Sequence, residues 1–151
     1  MCGRFTLTVD PSQLQEVFGD FTFPSQFAPR FNIAPTQPIL AIANDAKNTA
    51  DFFSWGLIPS WSKDPTIAAR LINARGETIA EKPSFRGSFK YKRCIIPTDG
   101  FYEWKATPYG KSPQHIHLKT NGLLTFGGLW ESWRDAEGKE RLQALTVIEP
   151  F

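Results

Sequence analysis

The sequence predicts an α+β domain in which antiparallel strands predominate and curl into a barrel-like sheet, accompanied by a few short helices. Two observations carry this. From Arg93 onward the chain reads as successive strands, at 94–97, 100–106, 114–120, 123–131 and 141–148, separated by turn-forming residues. The helical signals are short, lie in the first part of the chain, and are bounded by Pro and Gly. Size sets the scale: 151 residues at 41% hydrophobic content suit one core, so residues 1–151 are read as a single domain.

The elements follow in order. Residues 3–9 alternate well enough for a first strand. Asp10-Pro11 opens a helix through Phe18, with Asp10 as cap, Pro11 at the first helical position and Gly19 as the stop. Residues 20–38 are rich in Pro, Phe and Asn without a period, and read as a long loop. Strands follow at 39–44 and 51–57, then an irregular Pro- and Trp-rich segment at 58–65. A helical stretch near 77–82 ends before Pro83, and a second short helix occupies about 84–91. Turns fall at Thr107-Pro108-Tyr109-Gly110, Asn121-Gly122 and Asp135-Ala136-Glu137-Gly138. Asn-Gly between apolar runs is the strongest hairpin signal in the chain.

Composition narrows the function classes. No apolar run approaches the roughly 18–20 residues of a membrane span, and the N-terminus lacks the layout of a secretory signal, so an intracellular protein away from membranes is expected. Cys2 and Cys94 are too few for a disulfide framework and lack neighbours at metal-ligand spacing, so reduced thiols and no metal or cofactor are expected. The formal charge of +2 permits a polyanionic partner without requiring one. Lys82, Arg86, Lys90, Lys92 and Arg93 lie in a stretch free of acidic residues, interleaved with Phe85, Phe89 and Tyr91. That mixture suits a nucleic-acid strand held by phosphate contacts and stacking; the alternative is a solvated helix face with its aromatics turned into the core.

Cys2 is the most distinctive residue chemically. Methionine is trimmed before a small second residue, which would leave Cys2 with an amine and a thiol on adjacent carbons. An α-amine titrates near 7.7–8.0, so roughly a tenth of it is neutral at pH 7 and ready to attack an aldehyde. The thiol of the same residue then closes a five-membered thiazolidine with the advantage of an intramolecular step. Two alternatives stand beside this: a buried small hydrophobe, or an N-terminal nucleophile amidohydrolase whose α-amine serves as base for its own thiol.

Imine chemistry also needs a general acid/base. Glu103, between large aromatics in Gly100-Phe101-Tyr102-Glu103-Trp104, is the best candidate; the bland alternative is a surface carboxylate beside Lys105. Asn73-Ala74-Arg75 puts an amide and a guanidinium on one face if extended, able to orient an amine and pair with a phosphate, or simply to bond structurally. Within Trp55 to Trp61, Trp55 reads as core while Trp61, in irregular surroundings, is free for a base to stack on. His115 and His117 share a strand face, but no third metal ligand accompanies them, and they read as a solvated face.

Seven stretches, taken together, extend this reading: Met1-Cys2-Gly3-Arg4-Phe5, Phe31-Asn32-Ile33-Ala34-Pro35-Thr36, Trp55 to Trp61, Asn73-Ala74-Arg75-Gly76-Glu77-Thr78, Arg93-Cys94-Ile95-Ile96-Pro97, Gly100 to Trp104, and Gly127-Gly128-Leu129-Trp130-Glu131. In this order the chain resembles the SOS-response-associated peptidase (SRAP) family of abasic-site processing proteins. The resemblance implies binding to single-stranded DNA and cross-linking to abasic sites through a thiazolidine at Cys2; a monomer is expected, with protein partners unspecified. It implies that Asn73 positions the reacting amine and ring, Glu103 shuttles protons, and Arg4 and Arg75 hold the DNA backbone. Trp61 lies in the segment that packs against DNA, and Asn32 and Arg86 complete the expected DNA-binding set. Residues ahead of Cys2 are removable autoproteolytically in the family, which here means Met1. Family members continue past the strand equivalent to Leu142–Ile148 into a His-x-Arg-Met-Pro-like motif that serves cross-link reversal. The sequence here reads Glu149-Pro150-Phe151 at that point, so cross-link formation is expected of it rather than reversal. A non-catalytic nucleic-acid binder is the remaining alternative.

Overall fold

The computed structural model describes residues 2–149, and the expected loss of Met1 falls outside them. The chain order is β1 (Phe5–Leu7), α1 (Pro11–Val17), β2 (Arg30–Ile33), β3 (Pro38–Ala43), β4 (Ala50–Trp55), a 3₁₀ segment (Pro65–Arg70), β5 (Asn73–Arg75), α2 (Arg86–Tyr91), β6 (Arg93–Thr98), β7 (Gly100–Thr107), β8 (Gly110–Ile116), β9 (Leu124–Arg134) and β10 (Glu140–Glu149).

Five strands close on themselves in the order β4-β3-β6-β9-β10, with β10 returning to β4. Neighbours within that ring are antiparallel, but an odd number of alternating strands cannot close antiparallel throughout. One pair must run the same way, and it is β10–β4, with Ala144 opposite Ser54 and Leu145 opposite Trp55. β10 then continues beyond β4 and pairs in parallel with β5, setting Val147, Ile148 and Glu149 against Asn73, Ala74 and Arg75. A second, four-stranded sheet in the order β2-β1-β7-β8 packs beside the barrel.

The inward-facing side chains fill the barrel, as alternation on a half-buried strand requires. Trp55, Ile96, Leu145 and Val147 are fully buried there, whereas Leu129 is buried on the opposite face, against Leu57, Ala74, Ile79 and Phe85. Phe5 of β1 reaches across from the second sheet and meets Trp55 and Phe126 edge to face, with ring centroids 5.2 and 5.9 Å away. The indole nitrogen of Trp55 donates to the Ile72 carbonyl at 2.9 Å, satisfying its one polar atom where water is excluded. Gly128 admits no side chain: a Cβ there would lie 2.8 Å from Cys94 Sγ and 2.9 Å from the Thr146 carbonyl oxygen.

The α+β architecture with a barrel-like antiparallel sheet matches the sequence expectation. So does α1, where Asp10 accepts from the backbone of Ser12 and Gln13 while the Gln13 side chain returns the bond to Asp10, a reciprocal cap. β8 lies at Gly110–Ile116 rather than 114–120, a 3₁₀ segment follows the irregular stretch, and three further elements differ for identifiable reasons. Residues 20–38 contain β2, which pairs with β1 through a register shift that obscures the alternation. The stretch near 77–82 is a run of turns rather than a helix, ended by Pro83 before it propagates. Asn121-Gly122 makes no hairpin: β8 pairs with β7, whereas both edges of β9 are taken by β6 and β10. Asn121 supplies the positive φ of 54° that turns the chain from one sheet to the other, so the local signal is right and the partner is set by burial of β9.

Where β6 passes to β7, Asp99 ties the two sheets together. Its carboxylate accepts from the hydroxyls of Thr6 and Thr8 and, at 2.6 Å, from the Thr8 backbone. Burial alone would raise the pKa of this group, but the Thr6 and Thr8 hydrogen bonds outweigh it and hold the carboxyl below its ordinary value. A depressed native pKa contributes stability above the unfolded value of about 3.9 and loses it as pH falls through the native one. Asp99→Asn is therefore expected to cost about 1–2 kcal/mol at pH 7, a difference that shrinks below pH 3. Urea denaturation at the two pH values measures it.

Candidate functional site

The N-terminal segment, β5, β7 and the end of β10 converge on Cys2. β7 aims Phe101 and Glu103 to one side of its sheet, and together with Thr125, Phe126, Gly127, Val147, Ile148, Glu149 and Cys2 they line a cleft of about 570 Å³. From the other side, Asn73 Nδ2 donates to the Cys2 carbonyl oxygen at 2.9 Å. The Cys2 backbone nitrogen donates to Glu149 Oε1 at 2.7 Å. Cys2 is thus the common neighbour of the two residues expected to act with it, sharing the cleft with Glu103 and a hydrogen bond with Asn73, although 101 positions of sequence separate Cys2 from Glu103.

The thiol of Cys2 is buried, and burial pushes its pKa up to about 11, with the carboxylates of Glu103 and Glu149 opposing its ionisation further. At neutral pH it is a protonated thiol rather than a thiolate. Cys94, inside the barrel, is pushed up to about 12 by burial alone and lies away from the cleft lining. Gly127 leaves the floor of the cleft open, since a Cβ there would meet only Ile148 Cδ1, at 3.8 Å.

The expected DNA-binding residues divide into two groups. Arg4 and Asn32 are joined, the guanidinium donating to Asn32 Oδ1 at 3.0 Å, and Arg75 stands exposed at the end of β5 two positions from Asn73. None of the five lines the cleft; Trp61 is 60% exposed, and Arg86 opens α2 on the surface. Trp55 is core, as its context suggested.

The basic, aromatic stretch splits between its two readings. Phe85 is buried in the core, while Tyr91 is exposed and Lys90 sits 5.1 Å over its ring. Lys92 is not a free cation, because it pairs with the buried carboxylate of Glu131, which also accepts from the Ser88 hydroxyl. A buried carboxylate needs such a partner, so Lys92 is occupied by the fold. His115 and His117 do share a face, with rings stacked at 5.3 Å, and His115 Nε2 lies 3.3 Å from Thr6 Oγ1. No group of three or more metal-ligating side chains exists among the described residues. No helix of the described chain is long and apolar enough to cross a membrane.

Glu149 is the site residue that the sequence does not reveal. It lies 147 positions from the nitrogen it contacts, and no local pattern connects them. Only the parallel register of β10 on β5 brings it beside Asn73-Ala74-Arg75.

Known proteins resemble this chain over most of its length. Residues 1–149 match the family described as SOS response associated peptidase (SRAP). The abasic site processing protein YoqW of Bacillus subtilis is 47% identical over 98% of this chain and 67% of its own length. The abasic site processing protein HMCES of Xenopus tropicalis is 30% identical, over 98% of this chain and 57% of its own length. The chain therefore spans about two thirds of the bacterial relative and somewhat more than half of the vertebrate one. Among solved structures, a protein from Bacteroides thetaiotaomicron superimposes with a TM-score of 0.87 at 25% identity, covering 99% of this chain and 68% of that one.

Proposed function

Because the chain belongs to the SOS response associated peptidase (SRAP) family, we propose that it processes abasic sites in DNA, capturing the sugar aldehyde of single-stranded DNA as a thiazolidine on Cys2 after Met1 is removed. The observation that carries this reading is that Cys2 and Glu103 line one cleft large enough for a deoxyribose, while Asn73, outside that lining, holds the Cys2 carbonyl. The amine attacks the aldehyde and water leaves with a proton delivered by Glu103; the thiol then adds to the imine carbon and closes the ring. A buried, protonated thiol suits second place in that order, since it becomes useful only when the electrophile is already attached.

Arg4 and Arg75 supply cations for the phosphates flanking the lesion, and Trp61 offers an exposed ring for a base. The chain removes Met1 itself and acts as a monomer.

Incubation of the Met1-free protein with an abasic oligonucleotide, followed by intact-mass measurement, tests the reading. A species equal to protein plus oligonucleotide less one water is expected, and its absence at every pH between 5 and 9 sinks the proposal. Asn73→Ala, which releases the Cys2 carbonyl, is expected to slow adduct formation about 10- to 100-fold in single-turnover assays, the scale on which a misplaced reactant loses rate.

A further inference from the structure

We propose that Glu149, together with Asn73, forms a cradle for the α-ammonium group of the trimmed Cys2 and holds that nitrogen in position for attack. This rests on the reading of Cys2 as the reacting residue. As a peptide nitrogen, Cys2 N carries one hydrogen, and it is already donated to Glu149 Oε1 at 2.7 Å. As an ammonium the same atom carries three. The site holds acceptor capacity to match: Asn73 Oδ1 is buried with no hydrogen-bond partner among the described residues, although Nδ2 of the same side chain is fixed by the Cys2 carbonyl. A buried acceptor left empty is unfavourable in a finished fold. Here it belongs to a side chain already anchored on Cys2, so the surroundings fit an ammonium better than the amide.

The two carboxylates of the cleft then divide the work. Glu103 serves the departing water. Glu149 touches the nitrogen, so it pairs with the ammonium in the resting protein and receives its proton when the lone pair is needed. The N–C bond forms as the carbonyl π pair moves to oxygen, and the proton passes from nitrogen to Glu149 and on to the carbinolamine oxygen. No further reactant is required.

The test uses Met1-free protein labelled with ¹⁵N-cysteine, in which the Cys2 amine is titrated by NMR in the wild type and in Glu149→Gln. The amine pKa is expected above the ordinary 7.7–8.0 in the wild type and about one unit lower in the variant. Adduct formation at pH 9, where little ammonium remains in the variant, is expected to fall about tenfold, because glutamine can accept a hydrogen bond but not a proton. Equal amine pKa values in the two proteins overturn the proposal, as does an unchanged rate at pH 9. If Glu149→Gln does not fold, titration of the wild type in 1 M salt takes its place: the raised pKa should fall towards the ordinary range, and a value already ordinary at low salt overturns the cradle. Should wild type form no adduct with abasic DNA, the proposed function fails, while the titration still decides the role of Glu149.

Discussion

Cys2→Ser is expected to reduce the adduct that survives a denaturing gel by about 100-fold or more, while leaving the first covalent step intact. Serine is small enough for Met1 to be trimmed before it, so the α-amine remains available for imine formation. What disappears is the thiol that traps the imine, and with it the intramolecular ring closure that makes the product long-lived. Borohydride added during the reaction should therefore restore a stable band for the serine variant by reducing its imine. A band of wild-type intensity without reductant would show that the linkage does not need sulfur. Failure of borohydride to restore any band would place the first bond somewhere other than the Cys2 nitrogen.

Gly56→Ala is expected to be the most damaging single methyl in the chain. Gly56 follows β4 with φ at +136°, a backbone region that L-residues rarely enter. A Cβ there would lie 2.5 Å from the Ala68 carbonyl oxygen and 2.9 Å from its carbon, both main-chain atoms of the 3₁₀ segment. Backbone cannot rotate away as a side-chain tip can, so the clash and the conformational strain add. A loss of about 3–5 kcal/mol is expected, read as a lowered urea midpoint. Gly87→Ala in α2 is the matching control, because a Cβ there meets nothing within 4 Å. The same methyl should stabilise that helix by about 0.5–1 kcal/mol. Equal midpoints for the two variants would mean that the close approach at Gly56 is absent in solution.

The sequence discloses local chemistry well and long-range pairing poorly. α1 is legible because its cap, its proline and its stop all lie within ten residues. β3 and β4 are legible as short runs of apolar and aromatic residues, and the β9–β10 turn because Asp135–Gly138 are adjacent in the text. Asn121-Gly122 misleads because its turn geometry is real while its flanking strands answer to other partners. β2 is hidden by a register shift that breaks its period. At the site, Cys2, Asn73 and Glu103 stand out by residue type and by family resemblance, whereas Glu149 has no signature of its own and depends on where β10 ends. Lys92 shows the reverse error: its charge, counted with the basic stretch, is consumed by Glu131.

The parallel seam that shuts the five-stranded ring has a kinetic consequence. Joining β4 to β10 requires residues about ninety positions apart to meet, and this costs more chain entropy than any hairpin in the fold. The same strand, a few residues on, docks against β5 and delivers its terminal carboxylate to the nitrogen of Cys2. Hairpins such as β7–β8 and β9–β10 can assemble early without creating any reactive arrangement. The Cys2 nitrogen meets Glu149 only when β10 has docked on β5, so the pairing between them should form in step with the slowest phase of refolding.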